Sequence, residues 1–343
     1  MDNLNPMLTV IENRIPSGLL DAEAGQLHEV LPGPTLLHLP GRRQPALFVS
    51  VLLHGNESTG LLAIQQLLRH YDSKVLPRAL SIFIGNVAAA RHGRRRLDDQ
   101  PDYNRIWPGQ GDSPEHGMVA QVMDEMRRRG VFASIDIHNN TGLNPHYACV
   151  NRLSAPFLQM AVMFSRTVVY FTKPYGVQSM AFAELCPAVT LECGQPGQAF
   201  GIAHALDYVD ACLHLAQSPG HAVAPHDIDL FHSVAVVTVP AQVTFGFGDA
   251  GAELDFLEDI DHFNFSELPM GTCFGWARSA GGRLLCRNEH GEDVSDAYFA
   301  YPNGRIELVR TVMPSMLTLN EQVIRQDCFC YLMERLDCGP SAG

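Results

Sequence analysis

A histidine and a glutamate stand three positions apart in the segment HGNESTG, residues 54–60. The segment follows the apolar run ALFVSVLL, which is typical of a buried strand. His54 and Glu57 therefore lie at the carboxyl end of a strand, where α/β proteins place their binding sites. This pair can supply two of the three protein ligands of a catalytic zinc ion. Taken alone, so short a pattern fits better a loop histidine and a glutamate that favours a helix N-terminus.

Two other strand ends carry residues of the same chemical kind. His138 closes the run ASIDIH and is followed by a turn, and Glu192 ends the run AVTLE. Two strand-end histidines and one carboxylate match a recurring hydrolytic zinc site that leaves one position open for water. A buried carboxylate is costly unless it is paired or functional, so Glu192 is predicted to be the general base. The alternatives without a metal site are a hydrogen-bonded surface histidine for His138 and a glutamate paired with an arginine for Glu192.

A basic loop follows the strand LSIFIGNV. Residues 91–109, RHGRRRLDDQPDYNRIWPG, contain five arginines in an otherwise acidic chain. Such a run is usually a solvated surface, but its position after a strand puts it on the same edge as the candidate ligands. Guanidinium groups bind carboxylates with two parallel hydrogen bonds and stabilise developing oxyanions, so this loop is a candidate for substrate binding.

The elements that must position these residues form an α/β pattern. Between residues 35 and 215 short β-rich runs alternate with helix-period segments, which predicts a largely parallel sheet flanked by helices. The predicted helices are STGLLAIQQLLRHY, HGMVAQVMDEMRRRG and FGIAHALDYVDACLHLAQ. Beyond the Pro, Gly and His-rich segment 218–227 the pattern changes to short strands. We therefore expect a catalytic domain over residues 1–218 and a smaller, mainly β domain over residues 219–343.

Composition limits the partners and the location. The 343 residues carry a formal net charge of -13, which opposes the clustered basic groups that nucleic-acid binding needs. The start of the chain has neither a basic leader nor an apolar core region, and no stretch is long enough to span a membrane. The nine scattered cysteines lack a C-x-x-C pair and indicate reduced thiols. A small molecule is the expected partner and the cytoplasm the expected location.

Four motifs together resemble one family. The segments HGNE, DYNR, DIH and LECG occur in the order and at the spacings typical of the succinylglutamate desuccinylase/aspartoacylase family, relatives of the zinc carboxypeptidases. The segments GNVAAARHGRRR and YPNGRIELVR extend the resemblance over most of the chain. The resemblance implies a zinc-carboxypeptidase-like fold in which the C-terminal β domain caps the active site and restricts it to small substrates. A homodimer is compatible with it.

The resemblance also assigns the metal site and its base. It implies one zinc ion per chain, bound by His54, Glu57 and His138, with Glu192 as the general base. Asp102 matches a carboxylate that would orient a zinc-bound histidine.

Substrate-binding and catalytic roles follow in the same way. Asn104 and Arg105 match the pair that holds a substrate carboxylate, and Arg96 matches the oxyanion-stabilising arginine. Because the loop before Arg105 is one residue longer than usual, Arg94 and Arg95 remain alternatives to Arg96.

The chain departs from the family beside the third metal ligand. Asn139, a substrate-binding candidate, and Asn140 replace the residues that desuccinylases have there, so the acyl group of the substrate stays open. Tyr298 is a candidate pocket residue from the β domain, although the sequence favours the interpretation that it is a packed strand aromatic.

The activity implied is zinc-dependent hydrolysis of the amide bond of a small N-acyl amino acid. A metallocarboxypeptidase that removes the C-terminal residue of short peptides is the alternative enzyme. A binding protein that has kept the fold and lost turnover is the alternative of another class, and the presence of competent residues at each expected catalytic position speaks against it.

Overall fold

The computed structural model describes residues 7–279 and 281–336. The α-helices are α1 (Thr59–His70), α2 (Val87–Ala90), α3 (Pro114–Arg129), α4 (Ala155–Val162), α5 (Gln178–Phe182), α6 (Ala199–His214), α7 (Ser295–Tyr298) and α8 (Glu321–Gln326). Short 3-10 helices cover Ala24–Glu29, Pro225–Asp227, Ile260–Phe263 and Pro302–Gly304.

The strands alternate with these helices in the first two thirds of the chain and follow one another more closely afterwards. They are β1 (Thr9–Glu12), β2 (Thr35–Leu39), β3 (Ala46–Val51), β4 (Leu80–Ile84), β5 (Val131–His138), β6 (Tyr147–Val150), β7 (Thr167–Tyr170), β8 (Ala188–Glu192), β9 (Asp229–Thr238), β10 (Phe245–Phe247), β11 (Leu254–Phe256), β12 (Cys273–Ala277), β13 (Leu285–Asn288), β14 (Phe299–Ala300), β15 (Arg305–Leu308), β16 (Met313–Ser315) and β17 (Cys330–Arg335).

Most strands belong to one mixed sheet of order β1-β2-β4-β3-β5-β8-β6-β7-β9-β17-β16, and β13 pairs with β9. Strands β4, β3, β5 and β8 are neighbours and run parallel. Every residue of β3 and β8 is buried, which explains why both read as continuous apolar runs rather than as alternating patterns. The predicted α/β class with a largely parallel sheet flanked by helices is confirmed.

The predicted elements of this layer agree with the structure to within a few residues. The four predicted strands correspond to β3, β4, β5 and β8, and the three predicted helices correspond to α1, α3 and α6. One edge of the sheet therefore carries the carboxyl ends of β3, β5 and β8 side by side. The sites proposed from the sequence lie on that edge.

A smaller sheet of order β10-β11-β12-β15-β14 lies in the C-terminal part and encloses its own apolar core. This agrees with the predicted smaller, mainly β unit. However, β9, β13, β16 and β17 also lie beyond residue 218 and pair into the large sheet. The chain therefore continues the first sheet after the segment 218–227 before it builds the second, and the boundary at residue 218 stays a prediction.

In the part of the chain that the structure describes, no helix has the length and apolarity needed to cross a membrane. The eight cysteines among the described residues are free thiols, and Cys338 lies outside that part. Residues 1–6, which begin the segment where no leader is predicted, also lie outside the described residues. The cytoplasmic location stays a prediction.

Candidate metal centre and active site

The turn after β3 brings its histidine back over the sheet edge. Leu52 is buried and has a positive φ of 54°, a backbone conformation that bulky residues rarely adopt. Gly55 lies against the backbone of α2, where an added Cβ would come within 2.2 Å of the Ala90 nitrogen. A larger residue at position 55 would push the turn away from the sheet. The glycine in HGNE therefore allows His54 to sit where the strand ends.

Three predicted metal ligands converge on one point. Nδ1 of His54 lies 2.7 Å from Oε1 of Glu57, and Nδ1 of His138 lies 2.7 Å from Oε2 of the same carboxylate. All three side chains are buried. Their ligand atoms lie within 4.8 Å of one another, as a single ion requires.

The outer nitrogen of each ring faces another carboxylate. Nε2 of His54 lies 3.0 Å from Oδ1 of Asp102, and Nε2 of His138 lies 2.8 Å from Oδ2 of Asp136. A carboxylate in this position keeps the proton on Nε2 and leaves the Nδ1 lone pair free for a metal. Asp102 is where the sequence predicted such a carboxylate. Asp136 was missed, although a charged residue inside the buried run ASIDIH was the signal that could have found it.

The charges around the rings call for a cation between them. Burial opposes a positive charge on His138, but the carboxylates of Asp136 and Glu57 outweigh it and raise its pKa well above the ordinary value. Burial likewise favours a neutral Glu57, yet the two histidines hold the pKa of this carboxyl far below its usual range. Arg95 offsets part of this negative charge through Glu57 and Asp102, and a metal cation between the two rings would offset more of it. Two imidazoles and a carboxylate suit zinc, so the residues fit the metal that the resemblance implies.

Glu192 ends β8 directly beside His138, its register partner on β5. Its side chain is 8% exposed and lines the same cavity as the three candidate ligands. Burial raises the pKa of Glu192 to about 7; the positive charge of His138 opposes this shift, and the negative charge of Glu57 adds to it. Nδ2 of Asn140 donates a hydrogen bond of 3.4 Å to Oε2 of Glu192. A carboxylate that titrates near neutral pH suits a residue that takes up and releases a proton.

The arginines of the basic loop point in different directions. Arg95 lines the cavity, with its Nη2 3.0 Å from Oδ2 of Asp102 and its Nη1 3.8 Å from Oε1 of Glu57. Arg96 donates instead to the carbonyl oxygens of Leu97 and Gln100. Arg94 is exposed and pairs with Asp98. The oxyanion role assigned to Arg96 stays a prediction, while Arg95, one of its alternatives, is the arginine that faces the candidate ligands.

Asn104 and Arg105 both line the cavity, as their predicted role requires. Nδ2 of Asn104 lies 3.1 Å from Nε2 of His138, and its Oδ1 accepts a hydrogen bond from the backbone of Gln178. Arg105 reaches across to the C-terminal part of the chain, where its Nη2 donates to Oδ1 of Asp327 at 2.9 Å. Nothing in the sequence pattern pointed to Asp327.

Asn139 lies in the cavity wall, and its contacts are structural. Its backbone nitrogen donates to Oε2 of Glu57 at 3.2 Å, and its side chain links the backbone of Thr59 to that of Gly194. Asn139 thus holds the glutamate ligand, the start of α1 and the end of β8 together. Its predicted role in substrate binding stays open.

The cavity has a volume of about 100 Å³, not counting the open solvent at its mouth. Residues of the C-terminal part contribute to its wall, among them Met316, Asp327 and Tyr331. The sequence-based choice from that part, Tyr298, is instead buried in the core of the smaller sheet, where the guanidinium of Arg310 lies over its ring. Tyr298 is thus a packed aromatic, as the alternative interpretation held, but it ends α7 and does not lie in a strand.

A second group of possible ligands, Glu12, His38 and Glu125, lies away from this cavity. Arg129 pairs with both of its carboxylates, so a guanidinium already supplies the positive charge there. We assign no metal to this group.

Comparison with known proteins agrees with the residue-level picture. Residues 43–207 match the family model described as the succinylglutamate desuccinylase/aspartoacylase catalytic domain. This region is therefore similar to the catalytic domain of the succinylglutamate desuccinylase/aspartoacylase family. The predicted resemblance is confirmed, and the matched region contains the three candidate ligands and Glu192. Members of the family are hydrolases that act on N-acyl amino acids.

Solved structures share the fold of this chain. Succinylglutamate desuccinylase from Chromobacterium violaceum is 18% identical with a TM-score of 0.56, and the match covers 89% of each chain. A succinylglutamate desuccinylase/aspartoacylase from Rhodobacter sphaeroides is 13% identical with a TM-score of 0.56, covering 87% of this chain and 88% of that one. A mutant of murine aminoacylase 3 is 15% identical with a TM-score of 0.55, covering 86% and 96%. No curated protein sequence gives a match.

Proposed function

We propose that the protein is a zinc-dependent amidohydrolase that cleaves the amide bond of a small N-acyl amino acid into a carboxylate and an amino acid. The observation that carries the proposal is the convergence of His54, Glu57 and His138 beside the buried Glu192, in a cavity that arginines also line. The match of residues 43–207 to a family of N-acyl amino acid hydrolases supports it.

The three ligands would hold one zinc ion, with Nδ1 of each histidine and the Glu57 carboxylate directed to it. When bound, zinc supplies a Lewis acid that polarises the substrate carbonyl and makes water a stronger nucleophile. Asp102 and Asp136 would keep both histidines in the tautomer that binds metal.

Glu192 would carry the proton. As water adds to the amide carbon, its carboxylate accepts a proton from the water, and it then delivers that proton to the nitrogen as the carbon–nitrogen bond breaks. Its raised pKa is suited to both steps, because a carboxyl group that titrates near pH 7 accepts and releases protons with similar ease. Asn140 would keep the carboxylate oriented through its hydrogen bond.

We assign the stabilisation of the carbonyl oxygen to Arg95 rather than to Arg96. A buried guanidinium that faces the reacting centre stabilises developing negative charge, and Arg95 is the loop arginine in that position. Arg105 and Asn104 form the wall that receives the polar end of the substrate. One side of the cavity is closed by residues of the C-terminal part, which favours small acyl amino acids over peptides.

A substrate panel tests the proposal. Zinc-loaded wild type would be assayed with N-acetyl, N-formyl and N-succinyl amino acids and with blocked dipeptides, beside Glu192→Gln and the surface variant Glu184→Gln. We expect hydrolysis of at least one N-acyl amino acid by wild type and Glu184→Gln, and none by Glu192→Gln. Preferred cleavage of the dipeptides would indicate the carboxypeptidase alternative. Tight ligand binding with no hydrolysis in any protein would indicate a binding protein.

A further inference from the structure

A carboxylate from the C-terminal part of the chain occupies the arginines of the active-site wall. Asp327 follows α8 and precedes β17, and it lies 222 positions from Arg105 in the sequence. Its Oδ1 accepts a hydrogen bond of 2.9 Å from Nη2 of Arg105, and its Oδ2 lies 3.3 Å from Nη2 of Arg95. Asp327 therefore bridges both arginines that line the cavity.

This ion pair differs from one at an open surface. The side chains of Arg95 and Asp327 are 9% and 18% exposed, so water screens them poorly. Burial opposes ionisation of Asp327, but Arg95 and Arg105 outweigh it and lower the pKa of this carboxyl below its usual value. Asp327 is thus a permanent anion at neutral pH.

The charges of the wall then cancel. Arg95 is shared among Asp102, Asp327 and Glu57, and Arg105 is paired with Asp327, so carboxylates of the protein already offset the charge of both guanidinium groups. In Arg105, Nη2 is bonded to Asp327 and Nη1 donates to the carbonyl oxygen of Asn104, so a substrate carboxylate that approached Arg105 would meet the negative charge of Asp327 beside it. Two carboxylates that share one site disfavour each other's charge, so such a substrate would have to displace Asp327 or bind weakly.

One cation at the cavity wall has no such partner. Lys173 lines the cavity, and among the described residues no carboxylate lies within ion-pair distance of its ammonium group, which sits 3.3 Å from the ring centroid of Tyr175. Among the lysines and arginines of the described cavity wall, Lys173 is therefore the one whose positive charge no carboxylate offsets. One such charge suffices to bind one substrate carboxylate.

We propose that Asp327 determines specificity by selecting against substrates that carry a second carboxylate near Arg105. The inference rests on the proposed function and narrows it: the preferred N-acyl amino acid has an uncharged acyl chain, as in an acetyl or formyl group, rather than a dicarboxylic one, as in a succinyl group. Asp327 acts here by its charge and position, through contact with the substrate-facing arginines.

Equilibrium binding of two four-carbon acids tests the inference independently of catalysis. Succinate and butyrate have the same chain length and differ by one carboxylate. Calorimetric titration of the zinc-loaded protein would compare wild type with Asp327→Asn, which removes the charge and keeps the shape. Asp98→Asn is the matched control, because it removes the partner of Arg94 in the same loop, outside the cavity lining.

We expect wild type and Asp98→Asn to bind succinate no more tightly than butyrate. Asp327→Asn is expected to strengthen succinate binding relative to butyrate by at least about tenfold, and the ratio of kcat/KM for N-succinyl to N-acetyl substrates should move in the same direction. Asp327→Ser serves as a second variant if the asparagine protein does not fold.

Wild-type protein that binds succinate tenfold more tightly than butyrate would overturn the inference without any variant. A folded Asp327→Asn protein with an unchanged ratio would also overturn it. Because the readout is binding, absence of N-acyl amino acid hydrolysis would defeat the proposed function alone and leave the role of Asp327 decided by the titrations.

Discussion

Replacing Asp136 by asparagine is expected to weaken zinc binding although Asp136 does not touch the metal position. Its Oδ1 accepts a hydrogen bond of 2.7 Å from Oγ of Ser50, and its Oδ2 lies 2.8 Å from Nε2 of His138. In Asp136→Asn the amide oxygen would keep the bond from Ser50, which turns the amide NH₂ toward His138. Nε2 would then have to accept, and the ring proton would move to Nδ1, the atom that must bind zinc.

The size of the effect follows from this wrong tautomer. Loss of a carboxylate behind a metal-bound histidine typically costs about 10–100-fold in metal affinity. This corresponds to roughly 1.4–2.7 kcal/mol of binding free energy. Because Asp136 is completely buried and bonded on both oxygens, we expect a value at the upper end.

Competition with a chromophoric zinc chelator would measure the affinity of wild type, Asp136→Asn and Ser50→Ala. Ser50→Ala is the control, because it removes the hydrogen bond to Oδ1 and leaves the carboxylate behind His138 in place. We expect a loss of affinity near 100-fold for Asp136→Asn and a much smaller one for Ser50→Ala. A folded Asp136→Asn protein that binds zinc as tightly as wild type would show that the Asp136 carboxylate does not set the tautomer of His138.

Three further outcomes are expected. Glu192→Gln should retain zinc and lose turnover by about 10²–10⁴-fold, and loss of the metal instead would make Glu192 a ligand. In wild type, kcat/KM should rise with pH as Glu192 ionises. The inflection is expected at or below the pKa of about 7, because bound zinc favours the ionised carboxylate. Values of kcat/KM that fall with rising pH across this range would exclude the carboxylate as base. Arg95→Ala should lower kcat by about 10²–10³-fold while Arg96→Ala changes it only a few fold, and the reverse pattern would restore the role to Arg96.

The part of the site predictable from the sequence is the part built on strand ends. Short apolar runs mark the strands β3, β5 and β8 in the sequence. Parallel neighbours have their carboxyl ends at the same edge of the sheet, so the sequence alone predicts that His54, His138 and Glu192 lie together. The glycines and turn residues that follow each run fixed the points where the strands stop.

The remainder depends on contacts that sequence patterns do not encode. Three consecutive arginines differ only in the direction that the loop gives each side chain, so Arg95 and Arg96 could not be separated. Asp327 reaches the cavity because β17 pairs with β9 in the large sheet, a pairing between strands far apart in the chain. The composition change at residues 218–227 marked a loop, while β9 beyond it continues the first sheet beside β7.

Zinc content measured together with turnover decides whether His54, Glu57 and His138 hold a catalytic zinc ion. Wild type, His138→Ala and the surface variant His226→Ala would be purified without chelator, and zinc per chain would be quantified by elemental analysis in the same preparations that are assayed with N-acyl amino acids. We expect about one zinc per chain and hydrolysis in wild type and His226→Ala, with both lost in His138→Ala. A wild-type protein that hydrolyses these substrates without zinc or another divalent metal, or a His138→Ala protein that keeps both, would contradict this expectation.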